Sequence, residues 1–226
     1  MTYDQRFTRM RNFWFMRGTL SQTSPVNLLN RGLNRYIRDR LDLRPEDEVL
    51  EVGCDRGHLM HYLQPWCGRI VGVDVNESAL EQCTGLEVYE MSAEALRFPD
   101  NAFDKIVTLH TLEHVPRLRM ALEEMVRVLR PGGLMVHVYP WELVRGTMAA
   151  PGALLAYGDI RMARRMHLHK LNPAKLVELC SGLGVRPVSG RLVFMPIPLF
   201  PSYVSVLRKE EACSGGSNGG EGCYCS

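Results

Sequence analysis

Between Val49 and Leu59 an apolar, β-branched stretch runs into Gly53-Cys54-Asp55-Arg56-Gly57 and then into a helical pattern. A strand, a glycine turn and a helix in that order let backbone come very close to a ligand lying over the strand's C-terminal end. The pattern then repeats. Strands are predicted at 48–52, 69–74, 86–91, 103–109 and 134–139, with helices at 57–63, 78–83 and 120–129 between them. Strands alternating with helices imply right-handed crossovers and an α/β fold: a mostly parallel sheet with helices on both faces. Asn172-Pro173 caps a further helix at 174–183, and two closing strands at 185–192 and 202–207 bring the total to seven. Pro196, Pro198 and Pro201 rule out a continuous central strand between them.

At 226 residues the chain is long enough for one domain with a sizeable core, expected over 45–210. Residues 1–44 read as a helical cap. Phe7, Met10 and Trp14 share one face of a helix at 3–17, and Leu29, Leu33, Ile37 and Leu41 share one face of a second helix that begins at Ser24-Pro25. Two roles stay open for this pair: cover for the sheet, or a lid over a substrate cleft. The cap holds nine Arg against three Asp, either a solvated face or a surface for an anionic group. Net charge is only +2 overall, so no nucleic-acid partner is expected. With no apolar run of spanning length, no stable membrane insertion is expected and the location reads as cytoplasmic. Residues 211–226 are rich in Gly, Ser and Cys and read as a flexible tail. Seven Cys lack zinc-finger spacing and read as reduced thiols.

The ligand of the first turn follows from its charges. A dinucleotide fingerprint needs Gly at 53, 55 and 58, but Asp55 and His58 occupy the last two positions. Glu51 and Asp55 place two carboxylates where a pyrophosphate would sit. They suit a cation. Glu51-x-Gly53-x-Asp55-x-Gly57 resembles the first motif of the class I S-adenosylmethionine-dependent methyltransferases, in their small-molecule, ubiquinone-type group, with Asp55 where the family has its middle glycine. The likeness continues in register. Ile70–Asp74 is similar to the second strand and its terminal acid; Met91–Leu96 and Phe98–Asp104 to the adenine-flanking turn and the lead into the fourth strand. Leu109–Val115 is similar to the segment after that strand, and Arg127–Gly133 to the turn before the fifth. The resemblance covers about residues 47–140 and implies a Rossmann-like, doubly wound, seven-stranded sheet.

It also implies a cofactor, S-adenosylmethionine, and its site: Glu51, Gly53, Cys54, Asp55, Gly57, Asp74, Val75, Ser92, Ala93, Glu94 and His110. Methyl transfer needs alignment, exclusion of water and, for an oxygen or carbon acceptor, a base. The candidate catalytic residues are His110, after the fourth strand, and His167 and His169, which share a face if their segment is extended. His114 has packing and capping of the helix near Met120 as its structural alternative, and Glu113 reads equally as a solvated or capping acid. Trp14, Tyr139, Trp141 and Arg145 are the candidate substrate-lining residues. A metal at His167/His169 lacks a clear carboxylate or Cys companion, and none is expected. The expected activity is methyl transfer to a small-molecule acceptor, with O, C or N left open and the oligomeric state unassigned. A thiol-dependent metalloid methyltransferase using the tail cysteines and a non-catalytic methyltransferase-like binder are the alternatives. A nicotinamide dehydrogenase lacks its phosphate-binding glycines.

Overall fold

The computed structural model describes residues 25–194 and 201–211. The expected helix at 3–17 with Trp14, most of the proline-rich run before Ser202 and the Cys-bearing tail lie outside them.

Helix α1 (Pro25–Leu41) begins with proline at its first position, where a missing N–H costs nothing, and ends before Pro45. There follow β1 (Glu48–Val52), α2 (His58–Leu63), β2 (Arg69–Asp74), α3 (Glu77–Leu80), β3 (Glu87–Glu90), β4 (Phe103–Leu109), α4 (Leu118–Val128) and β5 (Leu129–Pro140). An inserted segment carries α5 (Ala150–Tyr157) and α6 (Ala163–Met166); α7 (Pro173–Leu179), β6 (Val185–Val193) and β7 (Ser202–Lys209) close the chain. The seven strands form one sheet in the order β3-β2-β1-β4-β5-β7-β6. The first five are parallel, and β7 runs antiparallel between β5 and β6. This is the α/β architecture expected from the alternation.

Period-two alternation divides the sheet's side chains between two apolar layers. Leu50, Val52, Ile106 and Met135 face the layer that holds α4 and α7. Val49, Val107, Val136 and Val138 face the layer that holds α1 and α2. Leu33, Ile37 and Leu41 of α1 are buried in that second layer. Helix α1 is therefore cover for the sheet, not a lid. Its Arg31 and Arg35 are exposed, and Arg38 pairs with Asp39 and stacks over Trp66. Arg44 is exposed as well, while Arg40 lies over the Tyr36 ring with its Nε buried.

Strand order reverses between β1 and β4, with β2 and β3 to one side and β5 to the other. In open α/β sheets this switch point opens a crevice at the strands' C-terminal ends. The outer strand β6 is mostly exposed, and a register shift between Pro187 and Ser189 disrupts it. Such a bulge blunts an edge.

His137, on β5, is fully buried; its Nδ1 lies 3.0 Å from Thr108 Oγ1 on β4. Burial lowers its pKa to about 4 from the usual 6.5. The folded chain therefore refuses a proton that the unfolded chain accepts below pH 6.5. Stability is lost as pH falls from about 6.5 to 4, by about 2 kcal/mol at pH 5. Urea unfolding at pH 7 and pH 5 measures this. His137→Gln, which cannot titrate, should lose about 2 kcal/mol less than wild type over that interval. Equal losses in the two proteins would contradict it.

Candidate active site

The turn after β1 alternates between ordinary and left-handed backbone. Gly53 has φ 79°, Asp55 φ 45° and Gly57 φ 72°. Asp55 thus keeps the left-handed conformation of the glycine it replaces. Asp and Asn tolerate this region better than most residues. The Asp55 amide donates to Asp74 Oδ2 at 2.9 Å, and Cys83 Sγ contacts its carbonyl. The turn is anchored to the end of β2 on one side and touches the turn after β4 on the other. A Cβ on Gly53 would fall 2.3 Å from Thr111 Oγ1.

Three carboxylates converge here. Glu51 is 2% exposed, and its Oε2 is buried without a hydrogen-bond partner among the described residues. Desolvation, with Asp74 and Asp55 nearby, raises its pKa well above the carboxylate range. Burial also raises that of Asp74, against backbone hydrogen bonds that lower it. Asp74 Oδ1 accepts from the Asn76 amide at 2.9 Å. A buried, unpaired carboxylate oxygen beside two more carboxylates is a site short of positive charge. Val75 is exposed at the same strand end.

Opposite, His110 has φ 53°, and its amide donates to the Val138 carbonyl at 2.8 Å. Its side chain is 41% exposed, with Nδ1 3.5 Å from Glu113 Oε1. A left-handed residue held at a strand end beside an open crevice is a common feature of functional sites.

Other expected positions are placed differently. The Cys54 side chain turns into the α1/α2 layer, and burial pushes its thiol far up; only its backbone, donating to the Val73 carbonyl, belongs to the turn. Both Glu94 oxygens are engaged by Arg117, through its amide at 2.7 Å and its guanidinium. Ser92 Oγ accepts the Glu94 amide, and Ala93 packs against the core. Tyr139 is not at the cleft. It is fully buried on β5, and its hydroxyl pairs with Ser205 Oγ at 2.7 Å. Pairing of β5 with β7 continues through Pro140, so the strand's open end begins one residue later. Trp141 is half-buried there and donates its amide to the Pro201 carbonyl.

His167 and His169 take different partners. His169 Nε2 lies 2.8 Å from the Val115 carbonyl, while buried His167 places Nδ1 2.8 Å from Glu142 Oε1. His169 and Arg145 do share a groove of about 450 Å³, lined also by Arg117, Met120, Leu168 and Lys170. Arg145 donates to the Leu168 carbonyl and Lys170 to that of Leu143. The four described cysteines are free. Burial pushes the Cys67, Cys83 and Cys180 thiols up to about 11. They offer no ready thiolate for metalloid chemistry.

Residues 50–137 match the family model described as a methyltransferase domain. Among curated proteins, a fatty-acid O-methyltransferase of Mycolicibacterium smegmatis is 35% identical over 52% of this chain and 46% of its own length. A phthiotriol/phenolphthiotriol dimycocerosates methyltransferase of Mycobacterium tuberculosis is 35% identical over 68% of this chain and 57% of its own. The chain spans about half the length of these curated relatives. A geranyl diphosphate methyltransferase solved in complex with S-adenosylmethionine superposes with a TM-score of 0.64 at 14% identity, over 79% of this chain and 84% of that one. Among the described residues no helix is long and apolar enough to cross a membrane.

Proposed function

We propose that this chain, whose residues 50–137 belong to the methyltransferase domain family, moves the methyl group of S-adenosylmethionine onto a small-molecule acceptor. The observation that carries the reading is the carboxylate cluster at the end of β1: Glu51 with its orphaned Oε2, flanked by Asp55 and Asp74. A pyrophosphate is repelled there. A ligand with an ammonium and a sulfonium and no phosphate fits the donor set.

When bound, the cofactor supplies a methyl group on positively charged sulfur. The chain's residues have simpler tasks. Glu51 and Asp55 face the cationic methionine end. Asp74, at the end of β2, accepts hydrogen bonds from the ribose hydroxyls. The glycines at 53 and 57, in left-handed backbone, add no side chain to the turn. His110 takes the acceptor's proton, and Glu113 at its Nδ1 orients the ring and stabilises the imidazolium. The groove beside Arg145 and His169, lined by apolar Met120 and Leu168 and by cationic Arg117 and Lys170, suits an amphiphilic acceptor. The relatives named for a fatty acid and for phthiotriol/phenolphthiotriol dimycocerosates support that class.

Calorimetry with S-adenosylmethionine and the intact chain tests the cofactor first; saturable, one-to-one binding is expected. Radiolabelled methyl transfer to a panel of fatty acids and apolar alcohols then tests the acceptor. No binding sinks the cofactor assignment. Binding without turnover on any acceptor favours a non-catalytic binder.

A further inference from the structure

The inserted segment and the turn after β4 meet in a polar cluster that extends from Glu113 well beyond its contact with His110. Glu113 and His114 lie in the single helical turn Leu112–His114, and His167 directly follows α6. The two segments are stitched together by the Leu168 and His169 amides, which donate to the Glu113 carbonyl at 2.7 and 3.3 Å. Glu113, His114 and His167 are 2%, 8% and 7% exposed. One donor atom from each lies within 4.8 Å of the others. The two imidazoles meet edge to face, with centroids 4.9 Å apart.

Their tautomers are set from outside. His114 Nδ1 lies 2.9 Å from the Met166 carbonyl, which can only accept, so Nδ1 carries the proton and Nε2 the lone pair. His167 Nδ1 faces Glu142 Oε1, while Glu142 also accepts the Gly146 and Met148 amides. With both oxygens already accepting backbone amides, that carboxylate meets His167 Nδ1 as an acceptor. His167 therefore also presents Nε2 as its basic nitrogen. Imidazoles held at Nδ1 by a carbonyl or carboxylate are how proteins orient metal-binding histidines. The third donor is Glu113, whose Oε2 is buried without a hydrogen-bond partner. Nothing among the described residues satisfies it, and leaving a carboxylate oxygen so placed is costly.

We propose that Glu113, His114 and His167 bind one divalent transition-metal ion, with Glu142 as the positioning residue behind His167. Two neutral imidazoles and one carboxylate favour zinc, cobalt or manganese over magnesium and calcium, which prefer all-oxygen sites. The ion clamps the inserted segment to the end of β4. Through the shared carboxylate of Glu113 it adjoins His110. Three protein ligands leave a position open for a water or an acceptor oxygen.

The test uses the full chain, stripped with chelator and titrated with zinc chloride by calorimetry, with magnesium in parallel. One zinc per chain is expected, a melting temperature that rises with zinc and falls back with chelator, and no magnesium binding. Glu113→Gln and His167→Asn should each raise the zinc Kd by about tenfold or more, and Glu142→Gln by about tenfold. Cobalt in place of zinc should give a spectrum of nitrogen and oxygen ligation without a thiolate charge-transfer band. The proposal is overturned if the wild type takes up no zinc, if both ligand variants bind it as the wild type does, or if a thiolate band appears. Should either ligand variant fail to fold, the wild-type titration and the cobalt spectrum still decide. None of these readouts depends on methyl transfer.

Discussion

Asp74→Ala is expected to weaken S-adenosylmethionine binding by a hundredfold or more. Asp74 closes β2 with its carboxylate held by the Asp55 and Asn76 amides, each at 2.9 Å. It stands one strand from the switch point, where the ribose of the proposed cofactor would come within reach of the second strand's end. Two hydrogen bonds accepted by a charged carboxylate contribute roughly 1.5–3 kcal/mol each, so their loss lowers affinity by about 10² to 10⁴. Asp74→Asn keeps the shape and one acceptor and should lose about tenfold. The carboxylate also anchors the β1 turn through Asp55, so weak binding alone does not separate ribose recognition from loop support. A cofactor analogue lacking the ribose hydroxyls does. Wild type should bind the analogue far more weakly than the cofactor, and Asp74→Ala should bind the two alike. That is a double-mutant cycle between side chain and hydroxyl. Discrimination undiminished in Asp74→Ala would assign the ribose to another residue.

The sheet was legible because apolar strands alternated with helical segments, with Gly53 and Asp74 at strand ends and Gly57 just before a helix. Asp55 was not legible. Its left-handed φ depends on the Asp74 carboxylate holding its amide, a contact 19 residues away. Glu94 looked available until Arg117, 23 residues on, engaged both its oxygens. Tyr139 was assigned to the cleft because it sits near the end of β5, but β7 pairs one residue further and Ser205 takes its hydroxyl. The His-Leu-His segment lacked a carboxylate companion in sequence. The fold supplies two, Glu142 at a separation of 25 residues and Glu113 at 54 from His167, by way of an insertion whose path no local pattern sets. Local periodicity predicts strands and helices. It does not predict which distant polar groups those elements bring together.

Gly53→Ala should be the most damaging small substitution in the cofactor turn. At φ 79° an alanine costs about 1–2 kcal/mol in backbone strain. Its Cβ would also meet Thr111 Oγ1 at 2.3 Å, Cγ2 at 2.4 Å and Cβ at 2.9 Å. Thr111 is β-branched and stiff at χ1, and its hydroxyl donates to the Leu109 carbonyl at 3.3 Å, so it cannot swing aside freely. The turn after β4 must move instead, and it carries His110. With a clash penalty of about 2 kcal/mol added to the strain, the total is about 3–4 kcal/mol, or a melting temperature lower by roughly 6–16 °C for a chain of this size. Cofactor affinity should fall with it, because both sides of the crevice shift. Thr111→Gly in the same chain removes all three clashing atoms. It should restore about half of the lost stability and leave the backbone strain, so the double variant melts between Gly53→Ala and wild type. Gly53→Ala melting like wild type, or no recovery in the double variant, would show that the β1 and β4 turns do not meet as described.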